Sequence, residues 1–141
     1  MTYYAVIDTN VLVSAMYFPE SIPGIVTDEA LRGNIIPLVN DEIITEYKDV
    51  LCRRKFRFDR SAVKLMIDTI IRRGIPVDAG PVNEFLPDPK DVVFYEVVME
   101  ARLQKETGES YLVTGNQKHF PQRPFVVTPR EMLDIIKSGD V

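Results

Sequence analysis

Five short apolar runs, none longer than six residues, alternate along this chain with stretches of helical periodicity, and that alternation restricts the fold most. The runs cover 3–8, 35–39, 75–77, 111–114 and 125–127. Between them, helices are expected over about 10–16, ending near Pro19, and over 22–32, stopped by Arg32-Gly33-Asn34. Others are expected from Asp41 to about Arg53, over 62–73 with Ser61 as N-cap, and over 90–106. Thr128-Pro129-Arg130-Glu131 has the N-cap, first-turn proline and reciprocal glutamate of a last helix reaching about Lys137. Strands that alternate with helices make a parallel sheet covered on both faces. The expectation is a three-layer α/β/α sandwich with a central, mainly parallel sheet of four to five short strands. At 141 residues it fits one domain spanning 1–141.

Such a sheet binds ligands at the carboxyl ends of its strands, and the first strand ends there in an acid. Asp8 closes Tyr3-Tyr4-Ala5-Val6-Ile7 and opens Asp8-Thr9-Asn10. A lone strand-end aspartate often only caps the next helix. Several carboxylates converging on one edge would instead point to a hard cation. In the helix from Asp41, Ile43, Ile44, Tyr47, Val50 and Leu51 form one apolar face. Glu42, Thr45 and Asp49 lie far from it, whereas Glu46 falls on its border. Periodicity permits Glu46 to reach a cleft and equally permits an ordinary solvated glutamate.

Asp88-Pro89-Lys90-Asp91 has the composition of a helix start, with Asp88 as N-cap and Asp91 at the third position. Capping alone accounts for both acids. The helix that follows is unusually apolar, with Val92, Val93, Phe94, Val97 and Val98, so its first turn should press against strand ends. Leu112-Val113-Thr114-Gly115-Asn116 ends a further strand in a hydroxyl and an amide. Asn116 can donate a neutral oxygen to a metal or act as a turn residue tolerating left-handed backbone.

The composition excludes several classes. No apolar run approaches bilayer-spanning length, and the first residues lack the pattern of a secretory signal. A single cysteine, Cys52, cannot form an internal disulfide, so a cytoplasmic location is expected. A net charge of −4 argues against a generally basic nucleic-acid binder while leaving room for a local basic patch.

At these residues the chain resembles the PIN-domain family of metal-dependent ribonucleases, in particular the toxins of type II toxin–antitoxin pairs. The matching segments, in the family's order, are Val6 to Ala15, the mid-chain Glu46, Asp88-Pro89-Lys90-Asp91 with its apolar helix, and Leu112 to Asn116 followed by Lys118-His119-Phe120. Val127-Thr128-Pro129-Arg130-Glu131 closes the set. By that resemblance Asp8, Glu46 and Asp91 match the principal acids around a Mg²⁺ or Mn²⁺ ion and are the expected catalytic set. Asn116 stands where many members carry a fourth acid, which weakens the case for a second ion. Asp88, one turn before Asp91, is a candidate to substitute for it. Thr9, Asn10 and Thr114 would support the site or contact phosphate.

The implied reaction is hydrolysis of RNA phosphodiesters by a divalent-metal-activated water, leaving 5′-phosphate and 3′-hydroxyl ends. The implied partners are an RNA substrate, a cognate antitoxin protein and a second copy of the chain in a homodimer or higher oligomer, with no membrane. An anionic site needs cations to hold an anionic substrate. Arg53, Arg54, Lys55, Arg57 and Arg60 crowd one stretch with Phe56 and Phe58 interleaved, and Lys118 follows Asn116. That stretch suits a phosphate-contacting, base-stacking lip, or a solvated connection whose phenylalanines turn inward. His119 has no second histidine to act with and reads as a structural or substrate-edge residue.

Two other readings compete. A haloacid-dehalogenase-like phosphatase also starts from an aspartate after an apolar strand. It requires an acid two residues later, where this chain has Asn10, and further acids that 119–127 lack. The other is a PIN-like scaffold that binds RNA or protein with weak or no turnover, to which Asn116 would be the clue.

Overall fold

The structure, a computed structural model, describes residues 2–139. Its strands are β1 (Tyr3–Ile7), β2 (Ile35–Val39), β3 (Ile75–Pro76), β4 (Tyr111–Val113) and β5 (Val126–Val127). All pair in parallel, in the order β3-β2-β1-β4-β5. Its helices are α1 (Thr9–Tyr17), α2 (Ile22–Arg32), α3 (Asp41–Leu51), α4 (Arg60–Arg73), α5 (Val92–Leu103) and α6 (Pro129–Gly139). The α/β/α sandwich expected from the alternation is therefore observed, with five strands at its centre.

The central strand β1 has helices on both faces, so it carries no alternating pattern: Tyr3, Ala5, Val6 and Ile7 are all buried. On one side α5 packs across β1, β2 and β4, and its Phe94, Tyr95, Val97, Val98 and Ala101 are buried to match. Elsewhere α2 packs on β2, α4 and α6, and α1 packs on α2. Among the described residues, no helix is long and apolar enough to cross a membrane.

Several ends differ from the sequence-based expectation, each for a local reason. The N-cap of α4 is Asp59, whose carboxylate accepts from the Ala62 backbone N–H at 3.2 Å, so the helix begins before Ser61. Helix α3 stops at Leu51, short of Arg53, where a 3-10 turn over Arg54–Phe56 takes over. Helix α5 spans Val92–Leu103, less than the expected 90–106, because Pro89–Asp91 forms a separate 3-10 turn. Gly33 ends α2 at φ 93°, a left-handed cap that suits glycine. The expected capping box of α6 is present. The Thr128 hydroxyl accepts from the Glu131 N–H at 3.1 Å, and the Glu131 carboxylate accepts from the Thr128 N–H at 2.9 Å.

Sheet order decides where a ligand can sit. From β1 the chain moves outward one way through β2 and β3, then returns to the other flank for β4 and β5. The switch point lies between β1 and β4, and a crevice at the carboxyl ends of such a pair is the usual ligand site of open parallel sheets.

Candidate active site at the switch point

Asp8 and Thr114 are the first residues beyond β1 and β4, and they face each other across that switch point. The Thr114 hydroxyl donates to Asp8 Oδ2 at 2.8 Å, and both residues are buried. The Asp8 backbone N–H donates to the Val113 carbonyl at 2.9 Å, which fixes the register of the two strand ends. Although Asp8 occupies the N-cap position of α1, its side chain makes no capping hydrogen bond. Capping of the next turn therefore does not account for Asp8; its carboxylate is held by the Thr114 hydroxyl and the backbone N–H of Thr9.

Burial pushes the Asp8 carboxyl up to about 6. The Thr114 hydroxyl and the Thr9 backbone N–H oppose the rise, while the charges of Asp91 and Glu46 add to it. Asp91 is also raised, by burial first and then by Asp88, with His119 pulling the other way and Glu46 adding a little. Asp8, Glu46 and Asp91 are thus within electrostatic reach of one another, although they come from the end of β1, from α3 and from the turn before α5. Among the described residues, no three His, Cys, Asp or Glu side chains stand together as a ready-made metal cage.

Asp91, like Asp8, stands at a helix N-cap without capping it. Its Oδ2 is buried, with His119 Nδ1 3.3 Å away as its ion-pair partner. Asp88 behaves differently. Its Oδ1 accepts from the Lys90 N–H at 2.9 Å and so caps the 3-10 turn, leaving that oxygen committed. The two acids that looked alike in sequence have separate jobs.

The remaining polar groups follow the same edge. Thr9 Oγ1 and Asn10 Oδ1 are buried and make no hydrogen bond within the protein. Gly115 passes close to Asn10: a Cβ there would lie 3.8 Å from Asn10 Oδ1. Asn116 is exposed, with φ −132°, so it is not a left-handed turn residue. It contributes a backbone N–H that donates to Thr114 Oγ1 at 2.9 Å, completing a relay to Asp8. Lys118 is exposed on the following 3-10 turn. The buried oxygens of Thr9 and Asn10 and the raised carboxylates of Asp8 and Asp91 are hard oxygen donors, a chemistry that suits Mg²⁺ or Mn²⁺.

Glu46 is half-buried on α3, on the border of the apolar face, as its periodicity indicated. It lines a groove of about 500 Å³ between α3 and the start of α5, with Glu42, Asp49, Lys90 and Glu96. Burial, then the charge of Glu42, raises the Glu96 carboxyl. Tyr47, a residue that periodicity marked only as core, proves to be part of the floor. Its hydroxyl donates to the Ile7 carbonyl at 2.5 Å, immediately before Asp8. Burial and the charges of Asp8 and Glu46 hold that phenol far above its usual range, so it stays a neutral donor.

The basic stretch is exposed at Arg53, Arg54, Lys55, Arg57 and Arg60. Phe56 and Phe58 are half-buried and stack on each other; Phe58 also packs against the core, whereas Phe56 does not. Tyr17, from the end of α1, meets both rings edge-on. No sequence signal tied Tyr17 to that stretch, because the contact joins segments some forty residues apart.

A family model described as PIN domain matches residues 4–118, most of the chain. No curated protein and no solved structure matches it.

Proposed function

The chain belongs to the PIN-domain family, a family of nucleases in general, and on that premise we propose that it is a divalent-metal-dependent ribonuclease acting through Asp8, Glu46 and Asp91. One observation carries the reading. Asp8 is a buried carboxylate at the switch point that caps nothing, held by Thr114 and crowded by the charges of Asp91 and Glu46. A fold that keeps repelling carboxylates at its ligand edge gains from a cation there.

When bound, Mg²⁺ or Mn²⁺ supplies charge neutralisation at the phosphodiester and a water acidic enough to attack it near neutral pH. The chain's own residues do the rest. Asp8 and Asp91 offer buried-edge oxygens, and Glu46 approaches from α3. Thr114 fixes the Asp8 rotamer, and the Asn116 N–H fixes Thr114. Thr9 and Asn10 present free oxygen atoms beside the same edge for ligand, water or phosphate contact. Because the three acids form no ready cage, an entering ion has to draw them together. One ion is the expected occupancy, since Asp88 is engaged in capping and Asn116 adds no charge.

The decisive experiment measures Mn²⁺ binding and RNA cleavage in wild type, Asp8→Asn and Asp91→Asn. Both variants should keep the fold and lose both activities. A second reading, a scaffold that binds RNA or protein with little turnover, draws support from the absence of a preformed cage among the described residues. It prevails if wild type neither binds Mn²⁺ nor cleaves any member of a broad RNA panel. A toxin role with a cognate antitoxin, a cytoplasmic location and a homodimer complete the proposal. A small adjacent reading frame whose product binds and silences this chain would support the toxin role, and sedimentation would measure the dimer.

A further inference from the structure

An aromatic and basic surface lies at the far ends of two helices associated with the acids. Helix α1 starts beside Asp8 and ends at Tyr17, nine residues or about 13 Å along its axis. Helix α3 carries Glu46 and leads into Arg54–Phe56, and the two helices are in contact. Where they end, four rings gather. Phe56 and Phe58 stack with centroids 5.3 Å apart and planes 9° apart. Tyr17 packs edge-on to both, at 5.8 and 4.9 Å, and Phe18 sits 6.1 Å from Tyr17. Much of this cluster faces solvent: Phe18 is 68% exposed and Tyr17 48%.

The charge around the rings is mostly positive. Lys55 Nζ lies 5.1 Å from the Phe56 ring centre, over its face. Arg53, Arg54, Arg57 and Arg60 are exposed, and among the described residues none of these five cations is in an ion pair. The one acid in the stretch, Asp59, is committed to capping α4. Arg57 holds left-handed backbone at φ 55°, which glycine would adopt more easily. Five unpaired cations are concentrated here in a chain of net charge −4.

Resting on the ribonuclease reading, we propose that Tyr17, Phe18, Phe56 and the cations beside them form an exosite for unpaired bases of the RNA strand. Bases stack on the exposed Tyr17 and Phe18, which Phe56 and Phe58 buttress, while Arg54, Lys55 and Arg57 hold the phosphates, and the strand then runs along α1 toward Asp8. The composition matches the stacking platform and electrostatic groove of single-strand binders. It confers a preference for unpaired RNA without reading its sequence.

The test uses the whole chain in EDTA, so that cleavage cannot occur, and the anisotropy of labelled oligouridine and of an RNA duplex of equal length. Wild type should favour the single strand. Phe18→Ala and Phe56→Ala should each weaken oligouridine binding about tenfold, with melting temperatures reported alongside. Lys55→Ala should flatten the dependence of affinity on salt, a readout that lost packing would not move. Equal binding of duplex and single strand, or unchanged affinity in the ring variants, overturns the exosite. Binding of neither RNA overturns it as well. Cleavage in Mn²⁺ separates the two ideas. Wild-type cleavage with KM unaltered in Phe18→Ala removes the exosite and leaves the nuclease. Metal-free binding that the ring variants lose, without any cleavage, does the reverse.

Discussion

Thr114 donates its hydroxyl to Asp8 across the one place in the sheet where the chain reverses its direction of strand addition. The two residues lie 106 positions apart in sequence. Each ends a strand, each is buried, and the Asn116 N–H steadies the threonine oxygen at 2.9 Å. The hydrogen bond fixes which oxygen of Asp8 is engaged and which remains for a ligand.

Removing that hydroxyl should therefore act through Asp8. Thr114→Val keeps shape but leaves the carboxylate without its side-chain donor, so the Asp8 pKa should move further above about 6. Mn²⁺ affinity at neutral pH should fall about 10- to 100-fold, the usual effect of losing a group that orients a ligand. Thr114→Ser should retain most of it. Carboxyl NMR titration and Mn²⁺ binding measure the two effects. An unmoved Asp8 pKa in Thr114→Val would sink the argument.

Asp8→Asn should stabilise the metal-free protein while abolishing cleavage. The folded carboxyl titrates at about 6 against an ordinary value of 3.8, so the folded state holds the extra proton between those values. This group's contribution to stability accordingly falls as pH rises from about 4 to about 6, and stays lower above that. An amide avoids the cost, and its oxygen can still accept from Thr114. The expected gain at pH 7.5 is about 2–3 kcal/mol, vanishing near pH 4. Denaturant titrations of wild type and variant at the two pH values measure it.

Metal binding should show the opposite pH dependence. A cation requires ionised Asp8, so Mn²⁺ affinity should fall about tenfold per pH unit below 6 and level off above it. Calorimetry near pH 5.5 in buffers of different ionisation enthalpy should detect proton release. Flat affinity from pH 5 to 8 would place the ion elsewhere.

Much of this arrangement is legible in sequence, and the rest is not, for physical reasons. Alternation of apolar runs and helices gives the parallel sheet because each strand buried on both faces must be nearly all apolar. Asp8 is visible since a strand that ends in an acid puts it on the ligand edge. Its freedom from capping is not visible, because a capping aspartate and a ligand aspartate have the same local sequence. The same ambiguity hid the split between Asp88, which caps, and Asp91, which does not. Tyr47 reads only as an apolar position, and nothing in the sequence singles out Tyr17. Their partners, Phe56 and the Ile7 carbonyl, are about forty residues away and become neighbours only through packing.

Tyr47 supplies a test of the floor. Tyr47→Phe removes the 2.5 Å donor to the buried Ile7 carbonyl and leaves the ring packing intact. The loss should cost about 1–2 kcal/mol, seen as a lower denaturant midpoint at unchanged slope. Because Ile7 precedes Asp8, Mn²⁺ affinity should fall with it. Lost stability with unaltered metal binding would show that the bond serves the fold alone.

His119 separates metal-based from histidine-based chemistry. It sits 3.3 Å from Asp91 Oδ2 and favours the ionised form of that acid. In His119→Ala the Asp91 carboxyl should rise further, and more Mn²⁺ should be needed for half-maximal cleavage. At saturating Mn²⁺ the rate should return to within about threefold of wild type, because a histidine that only positions an acid stabilises no charge on the substrate. Product ends should remain 5′-phosphate and 3′-hydroxyl. A rate that no Mn²⁺ concentration restores would make His119 a participant in the chemistry and remove the three carboxylates as its sole agents.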